Sequence, residues 1–202
     1  MIKHFLIKQG GSLTSLLIFS FSIILLNSCV QGSFKGLYSY YERSIKEKPG
    51  IFINTKNLDS INGKFSKLDN YVFIINGKDL KNCLKENDKS FIYIWGAKCS
   101  SKICYPLELI NNHCKKNNVS LFIVAEYYDS ENMSYDYELD KNILAIDTKH
   151  YNSNLTSKYL NLFLKDIDNN LNYDDIPERY LYFEKDKYIK SYESIYDYNE
   201  EM

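Results

Sequence analysis

Residues 91–104 read Phe91-Ile92-Tyr93-Ile94-Trp95-Gly96-Ala97-Lys98-Cys99-Ser100-Ser101-Lys102-Ile103-Cys104. The stretch opens on a continuous apolar run, rich in β-branched and aromatic residues, that ends at a glycine. A strand buried on both faces has this pattern, because neither side of it can afford a polar residue. A polar turn with two cysteines and two lysines comes next. From Pro106 to Lys116, Leu107, Ile110 and Cys114 then recur at helical spacing. The succession of strand, turn and helix is the unit from which parallel α/β sheets are built.

Outward from that unit the same alternation continues. Tyr71-Val72-Phe73-Ile74-Ile75 is a second buried-type strand ending at Asn76-Gly77, and Asp79 to Glu86 follows as a helix with Leu80, Cys83 and Leu84 on one face. Val119 to Ala125 supplies a third strand, and Ile143 to Asp147 a fourth. A helix starting near Ser153 or Asn154 would bury Leu155, Tyr159, Leu162, Phe163 and Ile167. Tyr180 to Phe183 and Tyr188 to Tyr192, joined by Glu184-Lys185-Asp186-Lys187, read as a hairpin on the sheet's edge. The fold class is therefore α/β, a central mixed sheet with flanking helices. Before residue 70 only Ile51-Phe52-Ile53, after the turn Pro49-Gly50, suggests a strand. The tail from Asp197 to Met202 is acidic and is expected to fray.

The N-terminus has another character. Lys3 and Lys8 precede the apolar run Leu16–Leu26, and no acidic residue occurs before Glu42. The run is too short to cross a hydrocarbon core as a helix, which takes about 20 residues. It suits the apolar region of a secretory signal. Leu26-Asn27-Ser28-Cys29 resembles the bacterial lipobox, a resemblance that implies cleavage before Cys29 and a diacylglyceryl thioether on its sulfur. Two acyl chains suffice for stable membrane attachment. The expected organisation is a signal peptide at 1–28, a tether and N-terminal extension at 29–67, the α/β domain at 68–193 and an acidic tail at 194–202. Such a protein resides in the cell envelope, anchored to a bacterial membrane through Cys29 and facing the periplasm or exterior.

The whole chain holds 25 Lys+Arg against 26 Asp+Glu, a formal charge of −1, and removal of the first 28 residues takes away two lysines and no acid. A near-neutral to slightly acidic surface lacks the basic footprint that phosphate backbones require, so nucleic acid is not an expected partner. Five cysteines become four once Cys29 is spent on lipid, and Cys83, Cys99, Cys104 and Cys114 can pair completely in an oxidising compartment. Four thiols allow three complete pairings. Cys83 and Cys114 fall on apolar helix faces, as buried thiols or as a structural bridge.

Cys99 is the candidate nucleophile. A cysteine at a strand-to-helix turn meets the positive end of the helix dipole, which favours thiolate over thiol, and Lys98 and Lys102 act in the same sense. Cys104 stands close enough in sequence to close a disulfide when Cys99 is attacked. A regular helix would hold the two too far apart, so 99–104 has to be a non-helical loop if they pair. In the chain-entropy model so small a loop stabilises by roughly 2 kcal/mol, against about 4 kcal/mol for a loop closed between Cys83 and Cys114. The 99–104 pair is the poorer staple and the better reversible switch.

The segment resembles the active-site turn of the thioredoxin superfamily, most closely the membrane-anchored thioredoxin-like lipoproteins of TlpA/ResA type. Trp95 lies four residues before Cys99, Pro106 opens the following helix, and Asp147 ends a strand ahead of a helix, as in that family's inserted βα unit. Ile176-Pro177, ahead of the hairpin strand Tyr180-Leu181-Tyr182-Phe183, matches the family's cis-proline strand. The resemblance covers about residues 68–193 and implies a thioredoxin fold. It makes Cys99 the nucleophile, and Trp95, Ile176 and Pro177 the residues lining a groove for an extended client segment. It departs at two points. The family's Cys-x-x-Cys puts its second cysteine where Lys102 stands, and the family's buried acid is replaced by Tyr93.

The resulting expectation is a thiol-disulfide oxidoreductase acting on envelope proteins with thiols or disulfides through Cys99 and Cys104, with no cofactor and no metal. A membrane electron donor could serve as a further partner. The alternative is a non-catalytic thioredoxin-fold lipoprotein with structural disulfides and a binding or assembly role. A copper site of two cysteines and a distant histidine would need His113 or His150, which read as a solvated helix residue and a loop or cap residue. A peroxidatic cysteine of the peroxiredoxin kind would want a threonine where Gly96 stands. Asp129-Ser130-Glu131 and Asp174-Asp175 read as solvated loops.

Overall fold

The apolar runs converge in one seven-stranded mixed sheet. The computed structural model describes residues 36–64, 70–99, 104–175 and 178–198. Its strands are β1 (Phe52–Asn54), β2 (Val72–Ile75), β3 (Lys89–Trp95), β4 (Ser120–Ala125), β5 (Leu144–Ile146), β6 (Tyr180–Glu184) and β7 (Lys187–Tyr192), in the spatial order β1-β2-β5-β4-β3-β6-β7. The pairs from β1 across to β3 are parallel. β6 pairs antiparallel with β3, and β7 with β6. The helices are α1 (Tyr41–Glu47), α2 (Leu58–Ile61), α3 (Gly77–Lys85), α4 (Leu107–Lys116), α5 (Ser130–Met133) and α6 (Thr156–Ile167).

Period-two alternation sorts the strand residues into two cores. Phe91, Tyr93 and Trp95 of β3, with Leu121 and Ile123 of β4, face one side, where Leu107, Ile110 and Cys114 of α4 cover them. Ile92 and Ile94, with Phe122 and Val124, face the other side, under Leu80, Cys83 and Leu84 of α3 and Tyr159, Leu160, Phe163, Leu164 and Ile167 of α6. Burial on both faces explains why these strands read as continuous apolar runs. The buried stripe of α6 differs from expectation. Leu155 caps the helix in extended conformation and is exposed, as is Leu162, while Leu160 and Leu164 are buried. The helix starts at Thr156, and its stripe runs along 159, 160, 163, 164 and 167.

The first and last described residues join this body. Ser39 donates its N–H to the Asn154 carbonyl (2.9 Å) and accepts from the Tyr128 N–H (2.8 Å), and Thr156 donates to the Leu37 carbonyl (3.0 Å). Tyr41 packs edge-on against Tyr128, centroids 5.1 Å apart. At the other end the expected fraying does not begin at Asp197. Ile195–Asp197 is a 3₁₀ turn with a Ser194–Asp197 capping box, and Ile195 and Tyr198 are buried in the α4-side core. Tyr198 meets Phe91 at 5.2 Å and Tyr182 at 5.1 Å between centroids, which holds the segment up to Tyr198 on the core.

Gly77 lets α3 approach α6 closely. A Cβ there would collide with the Phe163 carbonyl oxygen and stand 2.7 Å from Asp166 Cβ. The Gly77 N–H donates to the Tyr151 hydroxyl at 2.8 Å, and that hydroxyl donates to Asp166 at 2.9 Å. Gly77→Ala is therefore expected to destabilise the protein by about 1–3 kcal/mol. Urea denaturation would register this as a lowered midpoint.

Candidate functional site

The four central parallel strands all end on one edge of the sheet, and the two cysteines stand just past the end of β3. The Cys99 N–H returns to the Gly96 carbonyl at 2.9 Å, closing a four-residue turn. The adjacent Lys98 N–H donates to the Tyr127 hydroxyl at 3.0 Å, which ties the turn to the segment after β4. Cys99 and Cys104 form a disulfide with Cα atoms 6.0 Å apart. That span lies within the ordinary range for a bridge. Cys99 is exposed and Cys104 half-buried, so the bridge lies at the surface with Cys99 its more exposed member.

Beneath the turn lies a charge pair. Glu126 follows β4, and its N–H donates to the Trp95 carbonyl at 2.8 Å; Arg179 precedes β6, and its carbonyl accepts from the Ile94 N–H at 2.9 Å. These two residues flank the end of β3 on opposite sides, and their side chains meet across it. Arg179 Nη1 donates to Glu126 Oε2 at 2.8 Å and to the Ile94 carbonyl at 3.1 Å. Tyr173 donates to Glu126 Oε1 at 3.1 Å. Glu126 is only 7% exposed. A Cβ at Gly96 would stand 3.3 Å from both the guanidinium and the carboxylate, so the glycine leaves the room in which they meet.

A second charge pair holds the turn from the outside. Lys98 Nζ lies 2.7 Å from Asp129 Oδ2, and Asp129 caps α5 by accepting from the Asn132 N–H at 2.9 Å. Asp129 and Ser130 are buried, which corrects the expectation of a solvated loop. Burial opposes ionisation of Asp129, but the Asn132 N–H and Lys98 outweigh it and hold its carboxyl below the usual range. The Lys98 ammonium is raised by its bond to Asp129. Its charge is thus partly neutralised beside the cysteines rather than free to act on them.

A further expectation is corrected. The helix N-terminus does not reach Cys99: α4 begins at Leu107 with Pro106 as its cap, and the dipole bears on the Cys104 side of the turn. Of the two readings of Cys83 and Cys114, buried thiols or a structural bridge, the structure shows the first. Both are free and buried, one in each core on opposite faces of the sheet, and desolvation pushes each thiol up to about 12. Trp95 is 6% exposed and packs edge-on to Tyr137 at 5.9 Å, so it reaches the site as part of its floor. Cys29, Lys102, Ile176 and Pro177 lie outside the described residues. His113 touches the Tyr198 carbonyl (3.3 Å) and the Tyr196 ring, and His150 stands 3.9 Å from Asp166, neither beside the disulfide turn. Among the described residues no three His, Cys, Asp or Glu side chains gather as metal ligands, and no helix is long and apolar enough to cross a membrane. Comparison of the chain with protein-family models, curated proteins and solved structures gives no match.

Glu126 and Arg179 were not singled out in the sequence. One signal was there, since Arg179 is one of two arginines among 25 Lys+Arg in a lysine-rich chain. Guanidinium is the cation suited to buried ion pairs.

Two predictions follow the geometry. At neutral pH, iodoacetamide should leave Cys83 and Cys114 unlabelled in the folded protein and label both in guanidinium, as mapped by peptide mass spectrometry. The depressed carboxyl of Asp129 stabilises the fold above its ordinary pKa, and that contribution is lost as pH falls through the folded value. Asp129→Asn should cost roughly 1–2 kcal/mol at neutral pH and flatten the acid limb of the stability profile, measured by urea denaturation across pH.

Proposed function

We propose that this protein is a lipid-anchored thiol-disulfide oxidoreductase of thioredoxin type. The observation that carries the reading is the solvent-facing Cys99–Cys104 bridge at the end of the central strand, next to buried charge, while the other described cysteines are buried and unpaired. Exposed disulfides that close small loops are the labile, catalytic or regulatory ones. The sheet supports the fold half of the reading. The run β2-α3-β3-α4-β4, an extra parallel strand β5 with helix α6, and the antiparallel pair β6-β7 follow in thioredoxin order, with α3 and α6 on one face and α4 on the other.

In the reducing direction, Cys99 thiolate attacks one sulfur of a client disulfide. The client S–S bond breaks, a mixed disulfide forms, and the departing client thiolate takes a proton. Cys104, as thiolate, then attacks Cys99 Sγ and expels the second client sulfur, which is protonated in turn. Two electrons reach the client, and the Cys99–Cys104 disulfide is left to be reduced by an external dithiol. Ile176 and Pro177 would line the client's groove, main chain against main chain. Anchorage through Cys29 would confine the reaction to a membrane surface in the cell envelope, where a membrane electron donor could supply the dithiol.

The test is insulin reduction with dithiothreitol as the dithiol, using the full chain in detergent. The unmodified protein should accelerate turbidity, and Cys99→Ser should fall to the uncatalysed rate. Cys104→Ser should accumulate a mixed disulfide visible on a non-reducing gel. Equal turnover in the unmodified and Cys99→Ser proteins would refute the oxidoreductase reading and leave the binding alternative.

A further inference from the structure

We propose that the Glu126–Arg179 pair tunes the acidity of the Cys99 thiol, Arg179 favouring the thiolate and Glu126 opposing it. The inference rests on the reading of Cys99 as the nucleophile. Its geometry is that of Gly96. A methyl placed on that glycine would stand 3.3 Å from Arg179 Nη1, 3.3 Å from Glu126 Oε2 and 3.8 Å from Cys99 Cβ. The guanidinium and the carboxylate therefore both lie within about 7 Å of the Cys99 Cβ.

The pair is built, not incidental. Glu126 is buried, and its two oxygens are held separately by Arg179 and Tyr173. Both hydrogens of Arg179 Nη1 are taken, one by Glu126 and one by the Ile94 carbonyl. Among the described residues Nε and Nη2 have no protein partner, while the side chain stays one-third exposed. The guanidinium is thus fixed through Nη1, the atom that also lies nearest to Gly96. A fork held this way offers donors and a charge to a neighbouring anion without reorganising.

The other charges around the turn do not supply the same field. Lys98 is paired with Asp129, and Glu178 accepts from Ser191. Tyr93, Tyr127 and Tyr173, the nearby hydroxyls, are neutral groups near neutral pH. In the closed disulfide neither sulfur carries charge, so the pair balances itself. Once the bridge is reduced, the thiolate stands near both a cation and an anion, each within about 7 Å of the Cys99 Cβ.

Each charge of the pair, removed alone, should move the Cys99 thiol by about one pH unit at such a separation and effective dielectric. The experiment reduces the full-length protein in detergent and follows iodoacetamide alkylation of the Cys99 peptide against pH by mass spectrometry. R179M should raise the midpoint of the rate–pH profile by about one unit, and E126Q should lower it by about one unit. R179K, which keeps the charge, should stay within a few tenths of the unmodified protein. Shifts in the same direction for R179M and E126Q, or no shift in either, would overturn the proposal. If R179M does not fold by near-ultraviolet circular dichroism, the drop of about one unit for E126Q decides it, with the unmoved midpoint of R179K as its control, and no drop for E126Q overturns the proposal. Alkylation needs no client, so its outcome is separate from insulin turnover. Either the tuning or the oxidoreductase reading can fail while the other stands.

Discussion

The end of β3 is where this molecule's constraints meet. The strand is buried on both faces, bonded on one side to parallel β4 and on the other to antiparallel β6, and it stops at a buried glycine. Its two neighbours deliver Glu126 and Arg179 to the same point from opposite directions. The absence of a side chain at Gly96 lets that ion pair form directly under the turn. Displace β6 by one residue and Arg179 would lose the Ile94 carbonyl, the carboxylate would be buried without its cation, and several kcal/mol of desolvation would go uncompensated. The register of the sheet and the chemistry of the turn are thus one requirement.

The same geometry separates the four described cysteines by environment. α3 and α4 carry Cys83 and Cys114 into dry cores, where the thiols hold their protons. Cys99 and Cys104 sit beyond the strand end, where solvent, a salt-bridged lysine and a one-third-exposed guanidinium are all close. Reactivity of sulfur follows access and thiolate character, and the fold distributes both unequally among chemically identical side chains.

Much of this was legible in the sequence because continuous apolar runs and helical spacing are local signals. The strands, the three long helices α3, α4 and α6 and the edge hairpin could be placed from Tyr71-Val72-Phe73-Ile74-Ile75, Phe91-Ile92-Tyr93-Ile94-Trp95 and their neighbours, as could the turn with the two cysteines, whereas the short helices α1, α2 and α5 carry no such spacing. What escaped was non-local. Glu126 and Arg179 are 53 residues apart and touch only because β3 lies between the strands that carry them. Asp129 reads as a loop carboxylate until Lys98 arrives from the turn after β3 to pair with it. The buried face of α6 was misjudged for a local reason: leucines lie all round that helix, and its start at Thr156 fixes the phase that spacing alone left free.

The sheet also stands as a wall between Cys83 and Cys114, one thiol on each side of it. Any bridge joining these two, or joining either to the turn, belongs to a chain whose sheet is not yet closed. Such a bridge would have to break before the native strands could pair. The finished sheet thus acts as a filter on which disulfide its own chain can keep.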